Sequence, residues 1–519
     1  MSMKLHSISN RDAVARRLIQ SGEGHSLAIP TNVGDHTITF GYGYTFLRRS
    51  GDRWRISRTL DADLQLIGIE LRSDQEVLLA RIEDELNSDT PATVDRSIAE
   101  FREKWHFSPI SNAQAERLFG LELNRTGEAV RAQFRRYLGP DSGNSLYAQL
   151  EGSREMAGLM SLAYNAQALI GKQLALALQT GDRAEAWYQI RYDSNSTKQS
   201  ASLRAGLAKR RFAEAEYIGL YADPTAPTQS ESRNAYLMLQ RHRSEILAYE
   251  QTFGSSPNGL PASQGNRIAT ANSDLGSALS YAGLPPVPTL AAAFDPAKAV
   301  LLAELRNQRP DLSGRLEDAD WLSTNIYLAT DKGGLIDTVR YETGQFQANG
   351  ADDLMLGAAA SDTLRGNRGD DLLLGQGGND ILEGGDGSDA LVGGAGNDQL
   401  RGGAGMDTYV FAAGEGRDTI SDADGQGRVI VNGVALTGAG PSEHRLSGHW
   451  SQWTVEGGRF VYTLDEAQRR LVISGSELGV GHDITINDFD LERSGAKLGI
   501  QLGRDAVSVV RTAAAGSNQ

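Results

Sequence analysis

The sequence Gly375-Gln-Gly-Gly-Asn-Asp-Ile-Leu-Glu383 is followed by Gly384-Gly-Asp-Gly-Ser-Asp-Ala-Leu-Val392 and Gly393-Gly-Ala-Gly-Asn-Asp-Gln-Leu-Arg401, three copies of one nine-residue pattern. The pattern extends from Asn349 to Phe411, with an apolar residue two places after each aspartate. A disordered Gly/Asp-rich linker is the alternative, but a linker has no reason to keep two positions in phase over seven copies. The aspartates that keep phase are Asp353, Asp362, Asp371, Asp380, Asp389, Asp398 and Asp407.

This pattern resembles the RTX (repeats-in-toxin) nonapeptide family, which implies a parallel β-roll that binds Ca²⁺. Glycines allow tight turns, and aspartates offer the hard carboxylate oxygens that Ca²⁺ prefers. Two nonapeptides make one coil in this family, so aspartates eighteen residues apart are expected to face each other. The seven aspartates are therefore the predicted metal ligands, for several structural calcium ions. Without calcium, we expect the carboxylates to repel one another and the glycine-rich chain to remain unfolded.

The first two copies are degenerate, because alanines replace glycines at Ala351 and at Ala358–Ala360. The apolar position of each copy is expected to lie on a short strand and to stack into a continuous inner core. Its residues are Met355, Leu364, Leu373, Leu382, Leu391, Leu400 and Tyr409.

The net charge of −15 is concentrated in the repeats. Residues 349–425 contain fifteen Asp and Glu but four Lys and Arg, whereas residues 1–222 are close to charge balance. Calcium accounts for this local acidity, and no basic surface indicates a nucleic-acid partner. The chain has no cysteine, which excludes disulfides and thiolate metal sites.

Two features bear on where the protein acts. The start of the chain, Met1–Arg17, lacks the apolar run of a cleavable signal peptide, and no stretch is apolar enough to predict an integral membrane segment. The RTX resemblance implies instead a secreted, extracellular protein, exported by a type I secretion apparatus that reads an uncleaved C-terminal signal. Asp505–Val510 and Ala513–Gln519 are compatible with such a signal.

A second resemblance concerns the N-terminal part of the chain. Glu23-Gly24 is followed by Thr39-Phe-Gly-Tyr-Gly-Tyr-Thr45, and then by Ser161-Leu-Ala-Tyr-Asn165, by Leu174–Asp182, and by Gly206-Leu207 with Arg210, Arg211 and Glu214. This ordered set resembles phage-type lysozymes of glycoside hydrolase family 24 over residues 10–221. The resemblance implies an α+β muramidase domain whose substrate is peptidoglycan.

The resemblance assigns catalytic roles. Glu23 falls on the family's acid, and Thr39 falls on the threonine that helps to hold the attacking water. At the position of the family's aspartate stands Asn32, so Asp35 is the predicted second carboxylate. Water oriented by Asn32, or a more distant acid such as Asp52, remains the alternative.

Three other residues of this region have predicted roles. Tyr44 replaces the family's histidine, so an ion pair at that position is expected to be lost. Arg210 and Arg211 either close the last helices against the body of the domain or meet substrate carboxylates.

The spacing of apolar residues predicts the remaining helices and strands. A β-meander is expected over 28–46, and helices are expected over 73–86, with Ser73 as N-cap, over 111–125, and over a buried segment at 156–164. The predicted fold is multidomain: an α+β lysozyme-like domain (1–222), a mostly helical connector (223–345), an RTX calcium-binding β-roll (346–425), and a β-rich cap with the secretion signal (426–519). Within the connector, Trp321, Ile326, Tyr327, Leu335 and Phe346 are expected to cap the start of the roll.

These observations predict a secreted, lysozyme-type glycoside hydrolase that cleaves the β-1,4 bond between N-acetylmuramic acid and N-acetylglucosamine. A catalytically inactive, calcium-dependent glycan-binding or surface protein is the alternative, and Asn32 favours it. An effector injected into neighbouring cells by another machine is the third hypothesis.

Overall fold

The chain forms two compact units in the computed structural model. The first contains Met1–Pro227 and Ala248–Leu290, and the second contains Thr228–Leu247 and Ala291–Gln519. The structure describes residues 3–22, 26–32, 38–41, 44–50, 53–88, 93–105, 109–194, 201–254, 262–312, 316, 324–330, 332, 335–337, 352–440, 444–446, 449–491 and 497–503.

The helices lie in the N-terminal part of the chain, ahead of the repeats. They are α1 Arg11–Gly22, α2 Leu60–Gln65, α3 Ser73–Leu86, α4 Val94–Glu103, α5 Asn112–Leu138, α6 Pro140–Leu150, α7 Arg154–Asn165, α8 Lys172–Thr180, α9 Arg183–Tyr188, α10 Ala201–Ile218, α11 Gln229–Arg241, α12 Arg243–Phe253, α13 Arg267–Tyr281 and α14 Leu290–Gln308. None of these described helices is long and apolar enough to cross a membrane.

The first unit is built around α7, which packs against α1, α5 and α10. Every residue of α7 from Glu155 to Ala163 is buried, as the apolar sequence predicts. Helix α5 has Ser111 as its N-cap, and Ser111 Oγ accepts a hydrogen bond from the backbone N–H of Gln114. The predicted N-cap of α3 is wrong by one residue. Arg72 takes that position because its N–H donates to the Gln75 side chain at 2.9 Å.

Small antiparallel sheets accompany these helices. They contain β1 Ser26–Asn32, β2 Ile38–Gly41 and β3 Tyr44–Thr45 in one sheet, and β4 Leu47–Ser50 and β5 Arg53–Ile56 in another. The predicted meander over 28–46 is thus present as the β1–β2–β3 sheet, in which Thr39 pairs with Thr31 and Thr45. Phe46 is fully buried beside Phe101 and Trp105, in a core shared with α3, α4 and the start of α5.

The first unit also contains residues from beyond the predicted lysozyme-like region. Helix α13 packs against α1 and α10. Arg191 is fully buried, with its guanidinium 4.8 Å from the Trp187 ring. It lies 3.4 Å from the Glu250 carboxylate and donates to the Pro288 carbonyl at 3.0 Å. The predicted domain boundaries at residues 222 and 345 stay predictions. In the structure, the helices between these residues are divided between the two units.

Arg191→Ala should destabilise the first unit by about 3–5 kcal/mol, because it leaves buried carboxylates without their guanidinium. These carboxylates belong to Glu216, at 3.3 Å, and Glu250. Urea unfolding of the helical signal by circular dichroism measures the change. The control is Arg131→Ala, since Arg131 is 41% exposed and its nearest carboxylate oxygen lies at 3.7 Å. Equal unfolding midpoints for both variants would contradict the role assigned to Arg191.

The second unit contains the strands of the repeats and of the segments on either side. They are β6 Ile326–Leu328, β7 Leu335–Asp337, β8 Leu354–Leu356, β9 Thr363–Arg368, β10 Leu372–Gly377, β11 Ile381–Asp386, β12 Ala390–Ala395, β13 Gln399–Ala404, β14 Asp407–Phe411, β15 Arg417–Ile420, β16 Gly427–Val431, β17 Val434–Ala435, β18 Gly438–Ala439, β19 His444–Arg445, β20 Trp450–Val455, β21 Phe460–Asp465, β22 Arg470–Ser474, β23 Asp483–Ile486 and β24 Gln501–Leu502.

Residues 354–431 coil into a parallel β-solenoid of about four turns. Successive strands alternate between two sheets, so β8, β10, β12, β14 and β16 form one wall and β9, β11, β13 and β15 form the other. From β8 to β14 the register between neighbouring strands is eighteen residues, as in Leu373 opposite Leu391 and Leu382 opposite Leu400. It is twenty residues where β15 pairs with β13 and β16 pairs with β14. The predicted coil of two nonapeptides is therefore confirmed. So is the multidomain layout, with a helical N-terminal region and a C-terminal parallel roll.

The apolar position of every repeat lies inside the roll. Its residues, from Met355 to Tyr409, have no exposed surface. Each strand turns this position inward because side chains alternate between the two faces of a strand. The inner core of the roll is thus one continuous stack, as the nine-residue period predicts.

Both ends of the roll are covered within the second unit. At the start, β6 pairs with β8 and β7 pairs with β9, which places Ile326, Tyr327 and Leu335 on the first edges, as predicted. Trp321 and Phe346 lie outside the described residues. At the other end, β23 pairs with β15 and continues into the antiparallel meander of β19 to β22. Covered edges cannot pair with another chain, which protects a solenoid from aggregation.

Candidate functional site

The turns of the roll bring the repeated aspartates together in pairs. The backbone N–H of each aspartate donates to Oδ1 of the aspartate one coil later, at 2.8 Å for Asp353 to Asp371 and 2.7 Å for Asp362 to Asp380. The same bond continues along the stack at 2.9, 2.8 and 3.0 Å from Asp371, Asp380 and Asp389. The predicted eighteen-residue pairs are therefore present as direct contacts.

The second oxygen of these carboxylates, Oδ2, indicates what the site binds. Asp371, Asp380 and Asp398 are each 1% exposed, and their Oδ2 atoms have no hydrogen-bond partner among the described residues. A buried carboxylate oxygen without a partner costs free energy unless a cation or a proton compensates it. Three such oxygens in the turns of the roll indicate sites built for cations.

Electrostatics inside the roll support this interpretation. Burial raises the pKa of Asp371 to about 9, with a further contribution from the negative charges of Asp353 and Asp389. Burial likewise raises the pKa of Asp380 to about 7 and that of Asp398 to about 6. Without a cation, the folded roll thus disfavours the ionised form of its own carboxylates.

The residues present fit Ca²⁺. Its usual ligands are carboxylate and carbonyl oxygens, in sets of six to eight, and the turns of the roll supply both kinds of oxygen. Asp353, Asp362, Asp371, Asp380, Asp389, Asp398 and Asp407 would hold the ions through their carboxylates. Within the described part of the chain, no three His, Asp or Glu side chains converge on one point, so backbone carbonyls would complete each ligand set.

Two glycines illustrate why the repeat needs its residue types. Gly387 has φ +143°, in a region that favours glycine, and a Cβ there would meet the carbonyl oxygen of Gly369 in the preceding coil. Gly375 lies directly against the Asp380 carboxylate, and a Cβ there would overlap Oδ2. The first glycine of the repeat therefore makes room for the oxygen that faces the metal.

Gly375→Ala should raise the calcium concentration needed to fold the roll about tenfold, because an overpacked site costs about 1–3 kcal/mol. The measurement is a calcium titration of the β signal by circular dichroism. Gly440→Ala is the matched control, since a Cβ at Gly440 would meet nothing within 4 Å. Identical calcium midpoints for the two variants would show that Gly375 does not shape the site.

Sequence reasoning missed two parts of this site. The residue before each aspartate forms an outer ladder, in which Asp352 Oδ1 accepts from the Asp370 N–H and Asn379 Oδ1 accepts from the Asn397 N–H. The signal was the polar residue that precedes the aspartate in successive repeats. Asp418 was also missed, because two extra residues in the preceding turn put it out of phase. Its Oδ1 nevertheless accepts from the Asp398 N–H at 2.9 Å, and burial raises its pKa to about 7.

The predicted catalytic residues lie in the first unit. Helix α1 ends at Gly22, directly before Glu23, and β2 contains Thr39. Asn32 is the last residue of β1, opposite Ile38 of β2. Glu23, Asp35 and Asp52 lie outside the described residues, and their roles stay predictions.

Beside this region, Tyr44 takes part in a buried polar network. Its hydroxyl donates to Asp63 Oδ2 at 2.5 Å, and Arg125 forms an ion pair with the same carboxylate. Burial raises the Tyr44 pKa above its usual value, with Asp63 adding to the shift. The hydrogen bonds from Tyr44, Arg125 and Thr59 outweigh burial at Asp63 and lower its pKa. The tyrosine hydroxyl thus joins an ion pair that its neighbours Asp63 and Arg125 form.

The more distant motifs of the lysozyme resemblance meet in one buried cluster. Ser161 Oγ donates to Glu214 Oε1 at 2.6 Å, and Asn165 Nδ2 donates to the Ser161 carbonyl at 2.9 Å. Arg211 is fully buried and forms an ion pair with Glu214, while Arg210 is 6% exposed. Of the two roles considered for these arginines, the structural one agrees with their burial.

Comparisons with known proteins address the roll. The family model described as RTX calcium-binding nonapeptide repeat matches four copies, at residues 347–382, 356–391, 374–409 and 383–420. Among solved structures, the chain is similar to the solution structure of the AlgE6R3 subunit from the Azotobacter vinelandii mannuronan C5-epimerase. The identity is 24% and the TM-score 0.14, over 32% of this chain and 88% of that one. No curated protein sequence matches the chain. Residues 347–420 are thus RTX repeats, which bind structural calcium.

Proposed function

We propose that this protein is a secreted peptidoglycan hydrolase of the lysozyme type, joined to a β-roll that folds on calcium. It would cleave the β-1,4 bond between N-acetylmuramic acid and N-acetylglucosamine. Glu23 is the proposed acid, Asp35 the proposed base and Thr39 the proposed water-positioning residue. Calcium acts in this proposal on the folding of the repeats and takes no part in the hydrolysis.

The proposal rests on the lysozyme-family motifs in residues 10–221. Their order along the chain is the family's order, and the later motifs, around Ser161 and Glu214, share one buried hydrogen-bonded cluster. Residues 49 to 53 positions apart in sequence meet there, which agrees with motifs that belong to one domain. This convergence is the observation that supports the proposal most.

The proposed chemistry follows from the residue types. A glutamic acid in a partly apolar cleft keeps its proton near neutral pH and can donate it to the glycosidic oxygen as the bond breaks. A second carboxylate then accepts a proton from the attacking water. If the two carboxyl groups lie about 6.5–9.5 Å apart, water attacks from the opposite face and the anomeric configuration inverts.

A glycan-binding protein without activity is the second candidate, and Asn32 favours it. This residue stands at the family's aspartate position, and an amide cannot accept a proton as a base. Such a protein would keep the cleft and the calcium-dependent fold, and it would hold glycan without cutting it.

The repeats support the proposal that the protein is exported. RTX repeats are typical of extracellular proteins that leave the cell by type I secretion. We propose that the chain crosses the secretion channel with its roll unfolded, since such calcium sites are empty in the cytosol, and that the roll folds outside. If the protein is instead an injected effector, deletion of residues 460–519 should not stop its export.

Mass spectrometry of a peptidoglycan digest tests the proposed reaction. The full chain is incubated with purified, insoluble peptidoglycan in millimolar calcium, and the soluble products are identified. We expect muropeptides with N-acetylmuramic acid at the reducing end. Products with N-acetylglucosamine at the reducing end would contradict the proposed bond, and sedimentation of the protein with intact peptidoglycan would identify it as a binder.

A further inference from the structure

The two sides of the roll differ in charge. Turns that lead into the β10 wall contain Asp371 and Asp389, preceded by Asp370 and Ser388. Turns that lead into the β11 wall contain Asp380 and Asp398, preceded by neutral asparagines. We call the first set, with Asp353 and Asp407, the first row. The second row consists of Asp362, Asp380, Asp398 and Asp418.

At mid-stack, the residue before the aspartate plays the same structural part in both rows. In the first row, Asp370 Oδ1 accepts from the Ser388 N–H at 2.6 Å. In the second row, Asn379 Oδ1 accepts from the Asn397 N–H at 2.9 Å. Asp and Asn are nearly isosteric, so the rows share this backbone geometry and differ in the charge that stands next to the metal ligands.

The charge difference lies in the first half of the first row, because the outer residues Asp352 and Asp370 are followed by the neutral Ser388 and Met406. The outer ladder of the first row contains the carboxylates of Asp352 and Asp370. In the second row, the corresponding residues are Ser361, Asn379 and Asn397, followed by the cationic Arg417. Lys497 lies near the end of the first row, where its Nζ donates to the Asp422 carbonyl at 3.2 Å. At mid-stack, Arg368 in the Asp371 turn forms an exposed ion pair with Asp386 at 3.7 Å. The charges of Arg368 and Asp386 offset each other, so Asp370 remains the difference between the Asp371 and Asp380 turns.

We infer that the first row, at its Asp353 and Asp371 turns, binds Ca²⁺ more tightly than the second row and fills first. This inference rests on calcium binding by the repeats and is independent of the proposed hydrolase activity. Each outer carboxylate adds attraction for a divalent cation bound at the neighbouring turn, and no polar contact is lost in exchange. At a separation of about 8 Å and in a water-like dielectric, one unit charge changes the affinity for a divalent cation about fivefold.

The inner ladder supplies a reporter for each row. The Asp371 N–H donates to Asp389 within the first row, and the Asp380 N–H donates to Asp398 within the second. Hydrogen exchange of these two amides, resolved to single residues in the full chain, is followed as calcium is added. The Asp371 amide should become protected at a calcium concentration about fivefold lower than the Asp380 amide does.

Two single substitutions change the charge of the outer residue, one in each row. Asp370→Asn should raise the calcium midpoint at the Asp371 amide and bring the two midpoints together. Asn379→Asp should lower the midpoint at the Asp380 amide with the same result. High salt should reduce the difference in the wild-type protein, because exposed charges are screened over about 10 Å at 0.1 M salt and more strongly above it.

Equal midpoints for the two amides in the wild-type protein would overturn the inference. A difference that neither substitution changes would also overturn it, since the cause would then not be the outer charge. Absence of protection at any calcium concentration would contradict calcium folding itself, which keeps the two failures distinguishable.

Discussion

Removal of calcium should unfold the roll and leave the helical unit folded. Residues 354–431 bury an inner core of one apolar residue per repeat, with further buried side chains such as Leu372 and Leu374 on one wall. Their glycine content nevertheless makes ordering costly. The two rows of buried carboxylates oppose folding further. The first unit has a core of its own, with fully buried residues such as Phe46, Leu118 and Phe134, and contains none of the repeats.

The electrostatic part of this prediction has a definite sign. The pKa values of Asp371, Asp380, Asp398 and Asp418 are about 9, 7, 6 and 7 in the folded roll. The unfolded value is about 4, so the calcium-free roll is destabilised as pH rises from about 4 to about 9. All four shifts have the same sign, so each of these carboxylates lowers the stability of the calcium-free roll as it ionises with rising pH.

Circular dichroism with and without a chelator measures this effect. At pH 8, we expect chelation to remove the β signal while the helical signal stays, and calcium to restore the β signal. At about pH 4, the loss on chelation should be smaller, because protons neutralise the carboxylates. A roll that stays folded at pH 8 in excess chelator would contradict the prediction.

Glu23→Gln should lower the rate of peptidoglycan hydrolysis by a factor of about 10²–10⁴, the usual contribution of a general acid. Glutamine has nearly the same shape but has no acidic proton to donate to the leaving oxygen. Release of soluble reducing ends measures the rate, with each variant folded in calcium. Unchanged circular dichroism would establish that the loss is chemical.

Asp35→Asn separates the alternatives for the second group. If Asp35 is the base, this variant should lose activity to a similar extent as Glu23→Gln. If Asn32 orients the water instead, Asp35→Asn should keep most of its activity. Full activity of Glu23→Gln would remove Glu23 from the mechanism.

The roll could be predicted from the sequence because each position of the nine-residue repeat has one structural role. One residue in nine faces the core, one carries the carboxylate, and the eighteen-residue register of Leu382 with Leu400 follows from two repeats per coil. Asp418 was not predicted as a ligand because the turn after Phe411 contains two extra residues. Counting in nines fails after an insertion, whereas the Asp-Thr-Ile sequence of residues 418–420 still marks a ligand followed by a core residue.

The partners of the middle helices could not be predicted in the same way. An amphipathic pattern such as that of α13 predicts a buried face, with Ile268 and Leu275 inside, but does not say which domain covers it. Arg191 likewise reads in the sequence as an ordinary basic residue. Its burial among Trp187, Phe212 and Glu250 depends on long-range packing between distant segments.

Anomalous X-ray scattering from crystals grown in calcium tests the central claim most directly. The claim is that the buried, unpartnered carboxylate oxygens along the roll are calcium ligands. We predict anomalous peaks between successive turns, with ligand distances of about 2.3–2.6 Å to Oδ2 of Asp371, Asp380 and Asp398. A well-ordered roll with no peak beside these oxygens, at saturating calcium, would contradict the account.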